Sequence, residues 1–234
     1  MMIPTRLLSG YRDFRKDRYA EQAEHYRAVA HGQKPQTMVI ACADSRVDPT
    51  MIFSAAPGEL YVVRNVAALV PPRESQGTYH GTSAALEFGV TQLGVSNIVV
   101  LGHAMCGGIA ASLEAATHKP VGEFIGPWIE QISGIRDELL ERTEPSHREI
   151  RQQALERMAI QLSLDNLNTF PFVTERVEKG TLSLHGAWFS IADGALHWLD
   201  WDTGVFERVM REPEAAGRAT IRPPRAPSFA TAQA

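Results

Sequence analysis

Two short apolar runs of nearly the same make constrain this chain most. Thr37-Met38-Val39-Ile40-Ala41 opens into Cys42-Ala43-Asp44-Ser45-Arg46, and Asn97-Ile98-Val99-Val100-Leu101 opens into Gly102-His103-Ala104-Met105-Cys106-Gly107-Gly108. Continuous β-branched runs bounded by turn residues predict strands buried on both faces of a parallel sheet. Cys42 and His103 then stand at the carboxyl ends of neighbouring strands, with Cys106 on the turn into a helix. In an open α/β sheet that edge is where ligands bind.

Two thiols and one imidazole converging there suit zinc. Zinc takes thiolate sulfur and imidazole nitrogen, and three protein ligands leave a fourth tetrahedral position for water or substrate. The chain has no third cysteine. A histidine elsewhere could close the site, but the best-placed extra donor is Asp44. The set Cys42, His103 and Cys106 therefore reads as a catalytic zinc site with one ion per chain. A redox dithiol is the weaker alternative, because Cys42 and Cys106 lack C-x-x-C spacing and His103 beside Cys106 favours metal.

C-x-D-x-R followed about sixty residues later by H-x-x-C-G-G resembles the β-class carbonic anhydrases, and their plant-like branch most. The likeness extends to Gly32-Gln33-Lys34-Pro35, Pro57-Gly58-Glu59, Val62-Val63-Arg64-Asn65-Val66-Ala67 and Val95-Ser96-Asn97-Ile98-Val99-Val100, roughly residues 25 to 200. It implies reversible hydration of carbon dioxide to bicarbonate and a proton, by attack of a hydroxide held at zinc. It implies that Asp44 orients that nucleophile and that Arg46 holds Asp44 off the metal. It also implies that Gln33, contributed across a dimer, binds substrate, and that Tyr61, Val66, Phe88 and Gly107 border it. Tyr61 and Phe88 exchange the family's commoner Phe and Tyr. Ala104 stands where Ser is usual, and Ala68 where Asn is frequent. Some bacterial members carry a bicarbonate pocket of Trp, Arg and Tyr; here Arg64 is kept, but Val39 and Phe189 fill the other two positions. No bicarbonate switch is expected.

The 234 residues are 44% apolar and 21% charged, which fits one domain with a sizeable core. A net charge of −4, with no basic run, argues against a nucleic-acid partner. The apolar stretches are too short to span a bilayer. Residues 1–20 carry Arg, Lys and Asp and no apolar core of a secretory signal, so a cytoplasmic enzyme is expected.

Residues 1–31 form an expected helical dimerisation arm. Its helix is read over 5–31, from Leu7, Tyr11 and Phe14, then Tyr19, Ala23, Tyr26 and Ala30, and the resemblance lays it across a partner subunit. Residues 32–211 make the expected zinc-dependent catalytic α/β domain: a central, mostly parallel sheet with an antiparallel edge strand, flanked by helices. Within it, Leu60–Val66 reads as a strand, Pro71–Gly77 as a loop and Tyr79–Leu93 as a helix. Glycines 107 and 108 allow close approach to a bound group, or tight helix packing. Trp128, Ile132, Ile135 and Leu139 mark one helix, and Leu155, Met158, Ala159 and Leu162 another ending before Pro171. Thr181–Ile191 and Ala195–Trp201 read as a hairpin turned by Asp193-Gly194 in a two-residue type I′ turn. Residues 212–234, rich in Pro, Ala and Arg, read as a disordered tail. His80 is a candidate proton shuttle, though a solvent-exposed bystander fits it better.

The expected assembly is a homodimer or dimer of dimers. Two other functions fit the residues less well. One is hydrolysis of a relative of carbon dioxide, carbon disulfide or carbonyl sulfide, on the same scaffold. The other is a zinc-binding regulatory protein without activity, which would have no reason to keep the Asp44–Arg46 pair.

Overall fold

The computed structural model describes residues 3–74, 80–117, 121–144 and 146–209. Tyr79 and the predicted tail 212–234 lie outside them. Six strands form one sheet: β1 (Thr37–Cys42), β2 (Leu60–Asn65), β3 (Asn97–His103), β4 (Ser183–Phe189), β5 (Leu196–Leu199) and β6 (Phe206–Arg208), in the order β2-β1-β3-β4-β5-β6. The first four are parallel, and β5 and β6 add antiparallel at one edge. This is the expected α/β architecture, with β6 as an additional strand too short to leave a periodic signal.

Alternation along β1 and β3 divides the core. Met38, Ile40, Ile98 and Val100 face a layer built from helices α5 (Gly81–Glu87), α9 (Arg148–Leu167) and α10 (Pro171–Glu178). Val39, Ala41, Val99 and Leu101 face the other way, toward Phe53, Leu60, Leu196 and Trp198. Both sets are buried, as strand runs without polar alternation require. Gly102 lets α9 settle directly on β3: a Cβ there would lie 2.7 Å from Ile160 Cδ1.

Several predicted elements take a different form. The arm is not one helix but three, α1 (Thr5–Lys16), α2 (Arg18–Glu21) and α3 (Ala23–Val29), broken at Asp17 and Gln22 where the backbone leaves helical angles. The break lets Phe14, Tyr19 and Tyr26 stack on one another, with ring centroids 5.1 to 6.0 Å apart. None of the arm's helical residues is buried, and Leu7 and Tyr11 are 66% and 59% exposed.

The helix expected to Leu93 is α-helical only to Glu87. Phe88–Leu93 widens into a π-turn, in which the Thr91 hydroxyl donates to the Glu87 carbonyl at 2.8 Å. β2 ends at Asn65 rather than Val66. The Asn65 side chain both donates to and accepts from the Leu69 backbone, at 2.8 and 2.9 Å, pinning a short 3₁₀ turn at Val66–Ala68. The helix marked by Trp128 to Leu139 is split into α7 (Ile125–Glu130) and α8 (Ser133–Glu141). The β4–β5 connection is not a two-residue turn: Phe189 pairs with Leu196, and residues 190–195 form the loop. Gly194 alone has positive φ, whereas type I′ needs it at both central residues, and the Asp193 carboxylate instead accepts from Ala195 N–H.

Candidate metal centre

Parallel register brings the two motifs together. Cys42 closes β1, His103 closes β3, and Cys106 stands just before α6 (Gly107–Ala115). All three are buried, and their ligand atoms lie within 4.8 Å of one another. The two sulfurs are 3.9 Å apart. His103 Nδ1 lies 2.9 Å from the Ala104 carbonyl, which fixes the proton on that nitrogen and leaves Nε2 with its lone pair. Nε2 is buried and finds no hydrogen-bond partner among the described residues.

The electrostatics of the three groups suit a cation. Cys106, facing it, pushes the Cys42 thiol down, while Cys42 and burial push the Cys106 thiol up. A divalent ion would let both ionise and would take up the orphaned imidazole nitrogen. Two buried sulfurs and one buried nitrogen fit zinc. This is the one such cluster among the described residues.

Asp44 sits at the rim. Its Oδ1 accepts from Arg46 Nε and from the Arg46 backbone N–H, both at 2.9 Å, and its Oδ2 accepts from the second guanidinium nitrogen at 2.7 Å. Oδ2 lies 4.0 Å from His103 Nε2. The Arg46 guanidinium holds the Asp44 carboxyl well below the usual carboxylate range. Arg46 also donates to the Met105 carbonyl at 3.1 Å, tying the first motif to the second.

Of the predicted substrate neighbours, Val66 and Gly107 lie beside this centre. Trp128 Nε1 donates to the Val66 carbonyl at 2.8 Å. A Cβ on Gly108 would meet Val66 Cγ1 at 2.7 Å, whereas on Gly107 it would meet nothing within 4 Å. Gly108 therefore serves tight packing of α6 on the 66–68 turn. A cavity of about 950 Å³ runs alongside, walled by Asn65, Val66, His80, Phe124 and Trp128, among others.

Tyr61 and Phe88 are not brought to this centre. Their rings pair at 6.1 Å, but Tyr61 lies opposite Met38, four residues before the Cys42–Asn65 level, or about 13 Å along the strand. Gln33, exposed and ahead of β1, lies toward that same far end.

Two further side chains hold the site in place, Arg64 from the stretch 62–67 and Glu156 from outside every motif. Arg64 donates to the carbonyls of Cys42 (2.9 Å), Asp44 (2.6 Å) and Val47 (3.2 Å) and pairs with Asp48 at 3.3 Å, so one side chain holds the whole Asp44 loop. Glu156, on α9, lies buried beneath Cys106 and accepts its backbone N–H at 3.0 Å.

Comparison with known proteins agrees with the geometry. The family described as carbonic anhydrase matches residues 37–196. β carbonic anhydrase 5, chloroplastic, of Arabidopsis thaliana is 39% identical over 77% of this chain and 59% of its own length. The chain thus spans less than two thirds of that relative. The carbonic anhydrase of Helicobacter pylori is 33% identical over 86% of this chain and 92% of its own. Among solved structures, the β-carbonic anhydrase CcaA superposes with a TM-score of 0.79 at 28% identity, over 87% of this chain and 98% of that one. One of two tetrameric β-carbonic anhydrases of Sordaria macrospora gives 0.72 at 27% identity, over 82% and 94%. With its mostly parallel sheet and its paired motifs, the chain belongs to the β-class carbonic anhydrase family of enzymes.

Proposed function

We propose that this chain is a zinc-dependent carbonic anhydrase that interconverts carbon dioxide and water with bicarbonate and a proton. The observation that carries the reading is the orphaned Nε2 of His103 facing two buried sulfurs, with Asp44 beside it and locked by Arg46. Zinc, when bound there, would lower the pKa of a bound water toward neutrality and so supply a hydroxide at working pH. Cys42, His103 and Cys106 would hold it. Two thiolates quench the charge of the ion more than imidazoles do, so turnover is expected to rise through the alkaline range.

Asp44 stays ionised at working pH and offers an acceptor for the proton of the attacking oxygen. Arg46 fills three of its acceptor positions and keeps the carboxylate from swinging inward. Val66 and Trp128, joined by the Trp128 indole N–H donating to the Val66 carbonyl, give that side of the site an apolar wall. Tyr61, with Phe88 packed on it and Gln33 ahead of β1, lies too far from its own chain's centre to serve it, which favours a dimer in which each copy borders the other's site. The unburied apolar face of the arm supports the same reading. The cytoplasm is the compartment we favour, because both cysteines serve the metal and leave none for a disulfide.

Zinc content and stopped-flow carbon dioxide hydration on one sample test this. The expected result is one zinc per chain with fast hydration, rising with pH. Zinc without hydration at neutral and alkaline pH would move the assignment to carbon disulfide or carbonyl sulfide, or to a binding role. Absence of zinc from a reduced sample would refute it.

A further inference from the structure

The side of the metal centre that faces α9 is built from polar groups no motif contains. Gln152 and Glu156 lie one helical turn apart on α9 and are both buried, at 9% and 3% exposure. Glu156 Oε1 accepts the Cys106 N–H at 3.0 Å and the Gln152 amide at 3.2 Å, and Oε2 accepts Trp188 Nε1 at 3.1 Å. The same Gln152 amide reaches the Cys106 carbonyl at 3.4 Å. Both polar groups of the Cys106 backbone are therefore held from one face of one helix.

A buried carboxylate is costly to keep unless it is well hydrogen-bonded, and a Leu would fill the space without that cost. What it does here is local. Cys106 is the residue preceding α6, and at a helix N-terminus its backbone N–H has no partner within the helix. Glu156 provides that partner, and the Cys106 sulfur is left free to point at Cys42 and His103. Strand β4 completes the brace: Trp188 sits opposite Gly102, next to His103, with the Arg157 guanidinium stacked 4.6 Å over its ring.

We propose that Glu156 is a positioning residue for the metal centre. Seconded by Gln152 and Trp188, it fixes the Cys106 turn in the conformation that receives zinc. The proposal rests on the zinc reading above and adds to it a residue fifty positions from the ligand it orients. Groups that orient ligands from behind typically contribute about 10- to 100-fold in metal affinity.

Zinc release to a chromogenic chelator from the full-length protein, with the absorption spectrum of its cobalt(II) form, tests it. Glu156→Gln is nearly isosteric, but its single oxygen cannot serve both the Cys106 N–H and the Trp188 N–H; Glu156→Ala removes every contact. The expected result is zinc release roughly 10- to 100-fold faster in both, with a displaced thiolate-to-cobalt band. The exposed Glu149→Ala on the same helix should match wild type. Wild-type release and an unaltered cobalt spectrum in Glu156→Gln would overturn the proposal. So would a lowered melting temperature with an unaltered spectrum, since that is a packing role alone. Should Glu156→Ala fail to fold, Glu156→Gln decides by itself. Wild-type protein that takes up neither metal would fail the zinc reading as well, and is told apart by the wild-type sample.

Discussion

Asp44→Asn isolates the acceptor at the rim from everything around it. In the wild type Oδ1 takes two donors and Oδ2 one, all from Arg46. Asparagine keeps two of these by placing its oxygen at the Oδ1 position. Its NH2 group then falls at the Oδ2 position, donor against the Arg46 guanidinium and donor toward the centre 4.0 Å away. The attacking oxygen loses its acceptor while the shape of the site is kept. Proton-handling side chains contribute about 10²- to 10⁴-fold, so kcat should fall by that factor, or about 2.7 to 5.4 kcal/mol at 1.36 per decade. Stability should change far less. The Arg46 side chain is 49% exposed, and such pairs are worth about 1 kcal/mol at most. The pH dependence of that small amount has a definite sign. The folded carboxyl is held below its unfolded value of 3.8, so its contribution is complete above 3.8 and is lost as pH falls below it. Stopped-flow hydration and zinc analysis are the assays, with melting curves from pH 8 to 3. Turnover within tenfold of wild type, at one zinc per chain, would refute the reasoning. So would a stability difference that changes between pH 8 and 5.

Other perturbations follow from the packing and the metal chemistry. Gly102→Ala drives a methyl to 2.7 Å from Ile160 Cδ1. Overpacking of this kind costs about 1–3 kcal/mol, so calorimetry should register a melting temperature lower by roughly 2–12 °C; an unchanged value would mean that α9 shifts freely. Leu7→Glu with Tyr11→Glu places charge on the unburied arm, and sedimentation should register a smaller dimer fraction together with lower activity at dilution. Chelation of the metal should open Cys42 and Cys106 to a thiol reagent, two groups per chain against none in the loaded protein, with zinc restoring protection. Equal labelling in both states would contradict a shared thiolate site.

What could be read in the chain, and what could not, divides by the range of the interaction. β1 and β3 were legible because a strand buried on both faces needs an unbroken apolar run, and few other structures do. Cys42, His103, Cys106, Asp44 and Arg46 were legible because their chemistry is specific and each set is local in sequence. The breaks at Asp17 and Gln22 were not, since an aromatic stripe at helical spacing reads the same whether its rings face a partner or one another. The π-turn at Phe88–Leu93 depends on one hydroxyl returning to one carbonyl. The Asp193-Gly194 turn departs from type I′ because the Asp side chain accepts the Ala195 backbone N–H, a local contact that the dipeptide alone does not announce. Glu156 and Trp188 were invisible for a further reason: a Glu and a Trp on separate elements have no spacing rule that joins them to a cysteine.

Arg64 and the far-end trio of Gln33, Tyr61 and Phe88 point to one consequence of a parallel sheet. All four parallel strands deliver their carboxyl ends to one edge, so the metal ligands and the Asp44 loop that Arg64 holds gather there by topology alone. Residues at the amino ends of those strands cannot reach that edge, at about 3.3 Å of rise per residue. A site that uses them has to borrow them from a second copy. On this reading the exposed arm and the incomplete pocket are two halves of one requirement. Dissociation should then lower activity without releasing zinc, because Cys42, His103 and Cys106, with Glu156 behind them, all come from a single chain.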